Sequence, residues 1–198
     1  LRAGKADADA KMTLQRTFKG KFTDDPQALA ATDPNYTRIA ALILSNISVA
    51  DVVIGTLGSA DHRRLSDTHF FGEQGEERVN YTVNFKGQGA NDGADVRSKT
   101  VSKYTNDDGV TLLSASDAAV TPESALSRQI TTKGLTDQKL SENFFDTHNG
   151  ASDEKLNYTL NYKGAAGSET ARSTVIAFYG GLRAGKADAD AKMTLQRT

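Results

Sequence analysis

The chain has 198 residues, 24 of them basic and 25 acidic, with 37 % apolar content and no cysteine. The near-cancelling charges supply no basic field for nucleic acid or an anionic membrane, and the lack of thiols excludes disulfides, thiolate metal centres and cysteine nucleophiles. No apolar run approaches the ~20 residues that span a bilayer, and the first residues lack the basic-then-apolar order of a signal peptide, so a mature soluble piece with no membrane insertion is expected.

In chain order, the first element is "LRAGKADADAKMTLQRT", from Leu1 to Thr17. Ala6, Ala8, Ala10, Met12 and Leu14 alternate with Asp7, Asp9, Lys11, Thr13 and Gln15. This period of two predicts a strand with one dry face and one wet face, because a helix would spread the same alanines around its circumference. The most apolar stretch, "YTRIAALILSNISVADVVIGTL" from Tyr36, is open between helix and buried strand, with strand favoured from about Val52.

"LSDTHFF" at Leu65, "RVNYTVNFKG" at Arg78 and "RSKTVSKY" at Arg97 then read as strand, strand and strand, separated by polar or glycine-rich turns. The same order returns as "LSENFF" at Leu140, "KLNYTLNYKG" at Lys155 and "RSTVIAFY" at Arg172, while "KMTLQRTFKG" at Lys11 reads as a more distant relative of the NYT strands. Between the two sets, "TPESALSRQ" at Thr121 offers a capping Thr and a Pro at the first helical position, predicting one or two helical turns. The halves, residues 18–104 and 105–181, thus carry related antiparallel meanders, flanked by residues 1–17 and their letter-for-letter copy, residues 182–198. The expected fold is all-β, an internally duplicated antiparallel sandwich of the immunoglobulin-like or a related kind, with at most one or two short helices. Nothing marks a linker between the halves, which are expected as one domain or two.

Catalytic chemistry has little to stand on. "GGLRAGKA" at Gly180 has the spacing of a phosphate-binding loop, but Ala187 stands where a hydroxyl should reach magnesium, and a glycine turn between two strands is the simpler expectation. His62, His69 and His148 lack the close pairing of metal ligands and read as surface loop residues, and no nucleophile-elbow pattern begins a serine triad. No enzyme activity is expected. "GANDGAD" at Gly89 and "TNDDG" at Thr105 gather oxygen ligands and leave a loop calcium as the one cofactor to consider, against plain turn-forming composition. The Asn-Tyr-Thr and Asn-Ile-Ser sequons at Asn35, Asn46, Asn80 and Asn157 read as strand grammar, and Arg63 with Arg64 is too short a run for nucleic acid.

The repeat interiors have diverged, yet the terminal segments are identical, as they would be in a stretch cut from a tandem array or in a chain engineered to complete an open sheet. Two identical strands fit one slot, so one is expected seated and the other frayed, paired at an edge or lent to a neighbour. "FYGGLRAGKADADAKMTLQR" from Phe178 resembles the closing strand region of bacterial chaperone–usher fimbrial subunits. That resemblance implies an incomplete immunoglobulin-like sandwich, with Ala187, Ala189, Ala191, Met193 and Leu195 as inward residues of the closing strand and Ala6, Ala8, Ala10, Met12 and Leu14 as their copies. It also implies extracellular polymerisation. The functional expectation is a structural subunit of an extracellular fibre or surface adhesin, partnered by copies of itself or neighbouring repeats. Two alternatives stand beside it: a viral or phage coat or tail protein, and a carbohydrate-binding module using Tyr36, Phe70, Phe71, Phe144, Phe145 and Tyr179 as a stacking platform, residues whose simpler role is core packing.

Overall fold

The computed structural model describes residues 10–18, 64–86, 96–106 and 110–198. Eleven strands account for most of them: β1 (Leu14–Phe18), β2 (Arg64–Phe71), β3 (Arg78–Phe85), β4 (Val96–Thr105), β5 (Leu113–Ser114), β6 (Ala125–Lys133), β7 (Lys139–Asp146), β8 (Lys155–Lys163), β9 (Thr170–Tyr179), β10 (Leu182–Arg183) and β11 (Met193–Arg197). Among the described residues a 3-10 turn spans Ala184–Lys186. All-β architecture is therefore observed, and every pairing is antiparallel.

The all-β, antiparallel expectation holds, and among the described residues the expected pair of facing sheets is not seen. The described strands form one sheet in the order β1-β2-β3-β4-β6-β7-β8-β9, with β10 and β11 both on β9 and the short β5 on β4. The two meanders meet edge to edge, β4 against β6, instead of face to face. Alternation explains how one layer holds together, since successive side chains go to opposite faces and registered partners share a face. One face carries the row Tyr81, Val101, Ile130, Glu142 and Leu160. The other carries Thr68, Thr82, Thr100, Thr131, Ser141, Asn161 and Ser173 across seven adjacent strands. On that face Thr68 and Thr82 are hydrogen bonded at 3.0 Å, Thr100 and Thr131 at 2.9 Å, and Asn161 donates to Ser173 at 3.2 Å.

Register shifts reveal a four-stranded unit. Between β2 and β3 the ladder skips at His69/Phe70, and between β7 and β8 at Phe144/Phe145. The β3–β4 ladder skips at Asn84/Phe85, matching Asn161/Tyr162 in β8–β9. Skips at Thr17/Phe18 in β1–β2 and Thr131/Thr132 in β6–β7 correspond as well. Hence β1 to β4 form one unit and β6 to β9 a second, and β11 lies beside β9 as β6 lies beside β4. A bulge inserts one unpaired residue and bends its strand, so matching bulges give both units the same local twist. "KMTLQRTFKG" is thereby reassigned. It is not kin to the NYT strands β3 and β8 but the counterpart of "ALSRQITTKG", the sequence of β6.

The predicted helix at Thr121 is also corrected. Ser124 N–H donates to the Thr121 carbonyl at 3.0 Å, the Ser124 hydroxyl accepts the Thr121 N–H at 3.0 Å, and β6 begins at Ala125. The serine closes a tight turn back on itself, and the segment enters a strand whose two neighbours supply ladder bonds that a helix could not.

Burial concentrates where the fourth strand of each unit ends. Ala177, Tyr179, Ala184 and Ala187 form a buried cluster, with Leu156 and Ala191 packed against it. Tyr104, Ala115 and Ala125 are buried at the corresponding place in the first unit.

Candidate functional site

Among the described residues the two identical terminal segments contribute the outer strands of the meander, and these carry the functional question. β1 lies on β2 with Leu14 opposite His69, Gln15 opposite Thr68, Arg16 opposite Asp67 and Thr17 opposite Ser66. β11 lies on β9 with Met193 opposite Tyr179, Leu195 opposite Phe178, Gln196 opposite Ala177 and Arg197 opposite Ile176. The copies do not contend for one slot within the molecule. One sequence is seated by its first-unit edge at one end of the sheet and by the opposite edge at the other end.

β6 shows what that sequence position does when both edges are filled. It pairs β4 on one side and β7 on the other. Its β4 ladder passes over Ser127 between Lys103/Tyr104, as the β9–β11 ladder passes over Thr194 between Met193 and Leu195. Its β7 ladder carries the same skip as β1–β2.

Side chains repeat the arrangement. Glu77 Oε1 accepts the Met12 N–H at 2.9 Å, and Glu154 Oε1 accepts the Leu126 N–H, the equivalent donor, at 2.7 Å. The bond from Met12, with a further one from Gly75, holds the Glu77 carboxyl below its ordinary value. Tyr104 Oη donates to the Val79 carbonyl at 2.8 Å, and Tyr179 Oη to the Leu156 carbonyl at 3.0 Å. Burial pushes both phenols up. Over those rings sit the cations that open the third strands, Arg78 at 5.2 Å from the Tyr104 centroid and Lys155 at 5.1 Å from that of Tyr179. Arg78 donates to the Pro122 carbonyl, while the buried Lys155 donates to Ala189 at 2.8 Å and Ala191 at 3.0 Å. Each cation ties down the chain that leads into the next first-position strand.

The predicted slot residues divide. Ala6 and Ala8 lie outside the described residues. Ala10 and Met12 precede β1 outside any strand, Met12 being exposed, and Leu14 is half-buried in β1. In the second copy the expected alternating strand is corrected. Ala187 is buried beside the 3-10 turn, Ala189 is exposed, Ala191 is half-buried, and only Met193 and Leu195 belong to a strand, both exposed. Two turns interrupt the alternation, with Ala187 N–H bonded to the Ala184 carbonyl at 3.1 Å and Ala191 N–H to Asp188 at 3.0 Å. Alanine brings little strand preference and aspartate favours turns, so a perfect alternation of the two yields to the Lys155 anchor and to burial of Ala184 and Ala187. Sequence reasoning missed Glu77, Glu154, Arg78 and Lys155. The signal was available in "EERVNYT" against "DEKLNYT", where an acid and a base precede each NYT strand.

Other expectations resolve locally. Gly180 and Gly181 both have positive φ, +58° and +86°, and form the tight turn between β9 and β10 that the glycine reading expects of "GGLRAGKA". His69 is corrected from loop to strand and stacks on Tyr81 at 4.3 Å, while His148 sits in a loop with Nδ1 2.5 Å from Asp146 Oδ1. His62, Asn35, Asn46, Tyr36, Arg63 and the "GANDGAD" loop lie outside the described residues, as does most of "TNDDG". Among the described residues no group of three His, Cys, Asp or Glu could hold a metal, and no helix is long and apolar enough to cross a membrane. Phe144 stacks on Tyr158 at 4.4 Å and Tyr179 is buried, while Phe71 is exposed.

A second polar centre lies on the face that carries Tyr81, Val101, Ile130 and Leu160. Glu142, buried, accepts from Arg128 Nη1 at 3.1 Å and from Tyr162 Oη at 2.9 Å, and burial with the adjacent carboxylate pushes the Tyr162 phenol up to about 12.

Among the described residues these features define an all-β repeat arrangement in one sheet, with a single sequence at both outer positions. No family model, curated protein or solved structure matches the chain.

Proposed function

We propose that the protein is a structural subunit of an extracellular fibre or surface adhesin, whose copies are joined strand to strand. One observation carries this reading: the sequence that caps the first strand pair of the sheet is also the sequence that ends it, each copy holding its neighbour by a different edge. A sheet with like-sequenced outer strands is suited to continuation, since main-chain hydrogen bonds supply attachment and alternate side chains set register. The outermost described strand β11 is open to such pairing along its length. It has no proline, and its residues from Met193 to Arg197 are all exposed. The resemblance to fimbrial closing strands supports the extracellular setting, although β11 extends an existing sheet and does not fill a groove.

The test is assembly of the full chain as a function of concentration, by light scattering and negative-stain microscopy. Filaments or linear oligomers that grow with concentration are expected. A strictly monomeric chain at every concentration overturns the reading, closed shells would move it to a coat protein, and glycan binding by the monomer would move it to a carbohydrate-binding module.

A further inference from the structure

We infer that β11 of one molecule pairs, along the edge facing away from β9, with β2 of a second copy in the register that β1 holds. This deepens the assembly reading and rests on it. The joint would repeat, between molecules, the arrangement β4-β6-β7 already present inside each one.

Three observations carry the inference. First, β11 is by sequence the strand that β2 already accepts, so the register follows: Leu195 opposite His69, Gln196 opposite Thr68, Arg197 opposite Asp67 and Thr198 opposite Ser66. Second, β6 proves that a strand in this place holds a fourth strand on one edge and a second strand on the other, with the two bulges that β11 and β1 show separately. The chain direction is also right, because an antiparallel meander continues when β2 follows β11. Third, the accessory bonds have a counterpart donor and a counterpart acceptor on β11. Met193 is the counterpart of Met12, whose N–H goes to Glu77, and Thr194 is the counterpart of Thr13, whose carbonyl accepts the Phe70 N–H at 2.9 Å. Glu77 and Phe70 of the second copy thus meet the same groups.

β1 and the incoming β11 are chemically equal on β2, and β1 has the advantage of belonging to the same chain, which makes its pairing intramolecular. Release of β1 therefore limits the joint. The same substitution must act with opposite signs in the two copies. Thr13 directs its carbonyl to β2, so by alternation the Gln15 N–H points there too. Gln15→Pro removes that donor and opens β2, whereas Gln196→Pro removes the corresponding donor from β11.

In the full chain, Gln15→Pro is expected to assemble at lower concentration than the unaltered protein, and Gln196→Pro to lose assembly. Circular dichroism checks that the sheet persists in both. Because the chain has no cysteine, a second measurement is independent of proline effects. Molecules carrying Thr68→Cys, mixed with molecules carrying Gln196→Cys and mildly oxidised, should form disulfide-linked heterodimers. Ser66→Cys with Gln196→Cys, displaced by two residues, should not. Joining Gln15→Cys to Thr68→Cys within one molecule should block association until reduced. Assembly that proceeds without the Thr68–Gln196 link, or that ignores both prolines and the internal lock, overturns the β11–β2 joint and leaves the assembly reading standing. A chain that remains monomeric throughout, Gln15→Pro included, overturns both.

Discussion

The Glu154 carboxylate accepts the backbone N–H of Leu126 at 2.7 Å. Leu126 stands at the start of β6, between the Ala125–Thr105 pair where the ladder to β4 begins and the skip at Ser127, so this bond fixes where the second unit starts. Glu154→Ala leaves that half-buried N–H without its charged acceptor and is expected to cost about 1–2 kcal/mol, read by urea denaturation. Glu154→Gln keeps an acceptor oxygen and should recover part of the loss.

Acid should release β1 through Glu77. Its folded-state pKa lies below the ordinary 4.5 because the Met12 and Gly75 amides favour the carboxylate. A depressed acid contributes its stabilisation above the unfolded value and loses it as pH falls through the folded value. Hydrogen exchange at the Met12 amide should therefore lose protection as pH drops below 4.5. In Glu77→Gln that protection is expected to be weaker and flat across the same range. An unchanged profile in the variant would exclude this carboxylate as the cause.

Alkali acts with the opposite sign at Tyr162. Burial and the Glu142 carboxylate raise its phenol from 10.0 to about 12, so its contribution is whole below 10.0 and is lost as pH rises through about 12. Phenolate absorbance should show a late-titrating tyrosine that disappears in Tyr162→Phe. Denaturant midpoints of the variant should fall less than those of the parent chain across that interval.

Backbone strain separates two glycines. Gly164 has φ of +115°, and a Cβ there would stand 2.9 Å from the Ser168 carbonyl oxygen. Main chain cannot swing aside as a side chain would, so Gly164→Ala is expected to destabilise by at least ~2 kcal/mol in thermal or urea unfolding. At Gly150, with φ of +86°, nothing stands within 4 Å of that position, and only the ~1 kcal/mol left-handed penalty should appear.

Much of this architecture was legible in the chain itself. Period-two alternation in "RVNYTVNF" and "KLNYTLNY" marks β3 and β8, and the recurrence of their flanking motifs marks the duplication. These signals survive because they depend on which face each side chain takes, a property local to a strand. The same rule misled at Ala187 to Ala191, where small side chains alternate but bury too little to hold a strand against the Lys155 anchor. It also paired "KMTLQRTFKG" with the wrong relative, since ten residues of alternation carry no information about which neighbour supplies the hydrogen bonds.

The sequence by itself thus determined that the protein is a repeating antiparallel β chain, and that its two ends are chemically the same strand. Tertiary structure alone decided that the units join edge to edge in one sheet, and that the identical ends present opposite edges. The physical reason is that a strand's side chains encode its faces, while its edges are main-chain amides common to every sequence and acquire meaning only from the neighbour placed beside them.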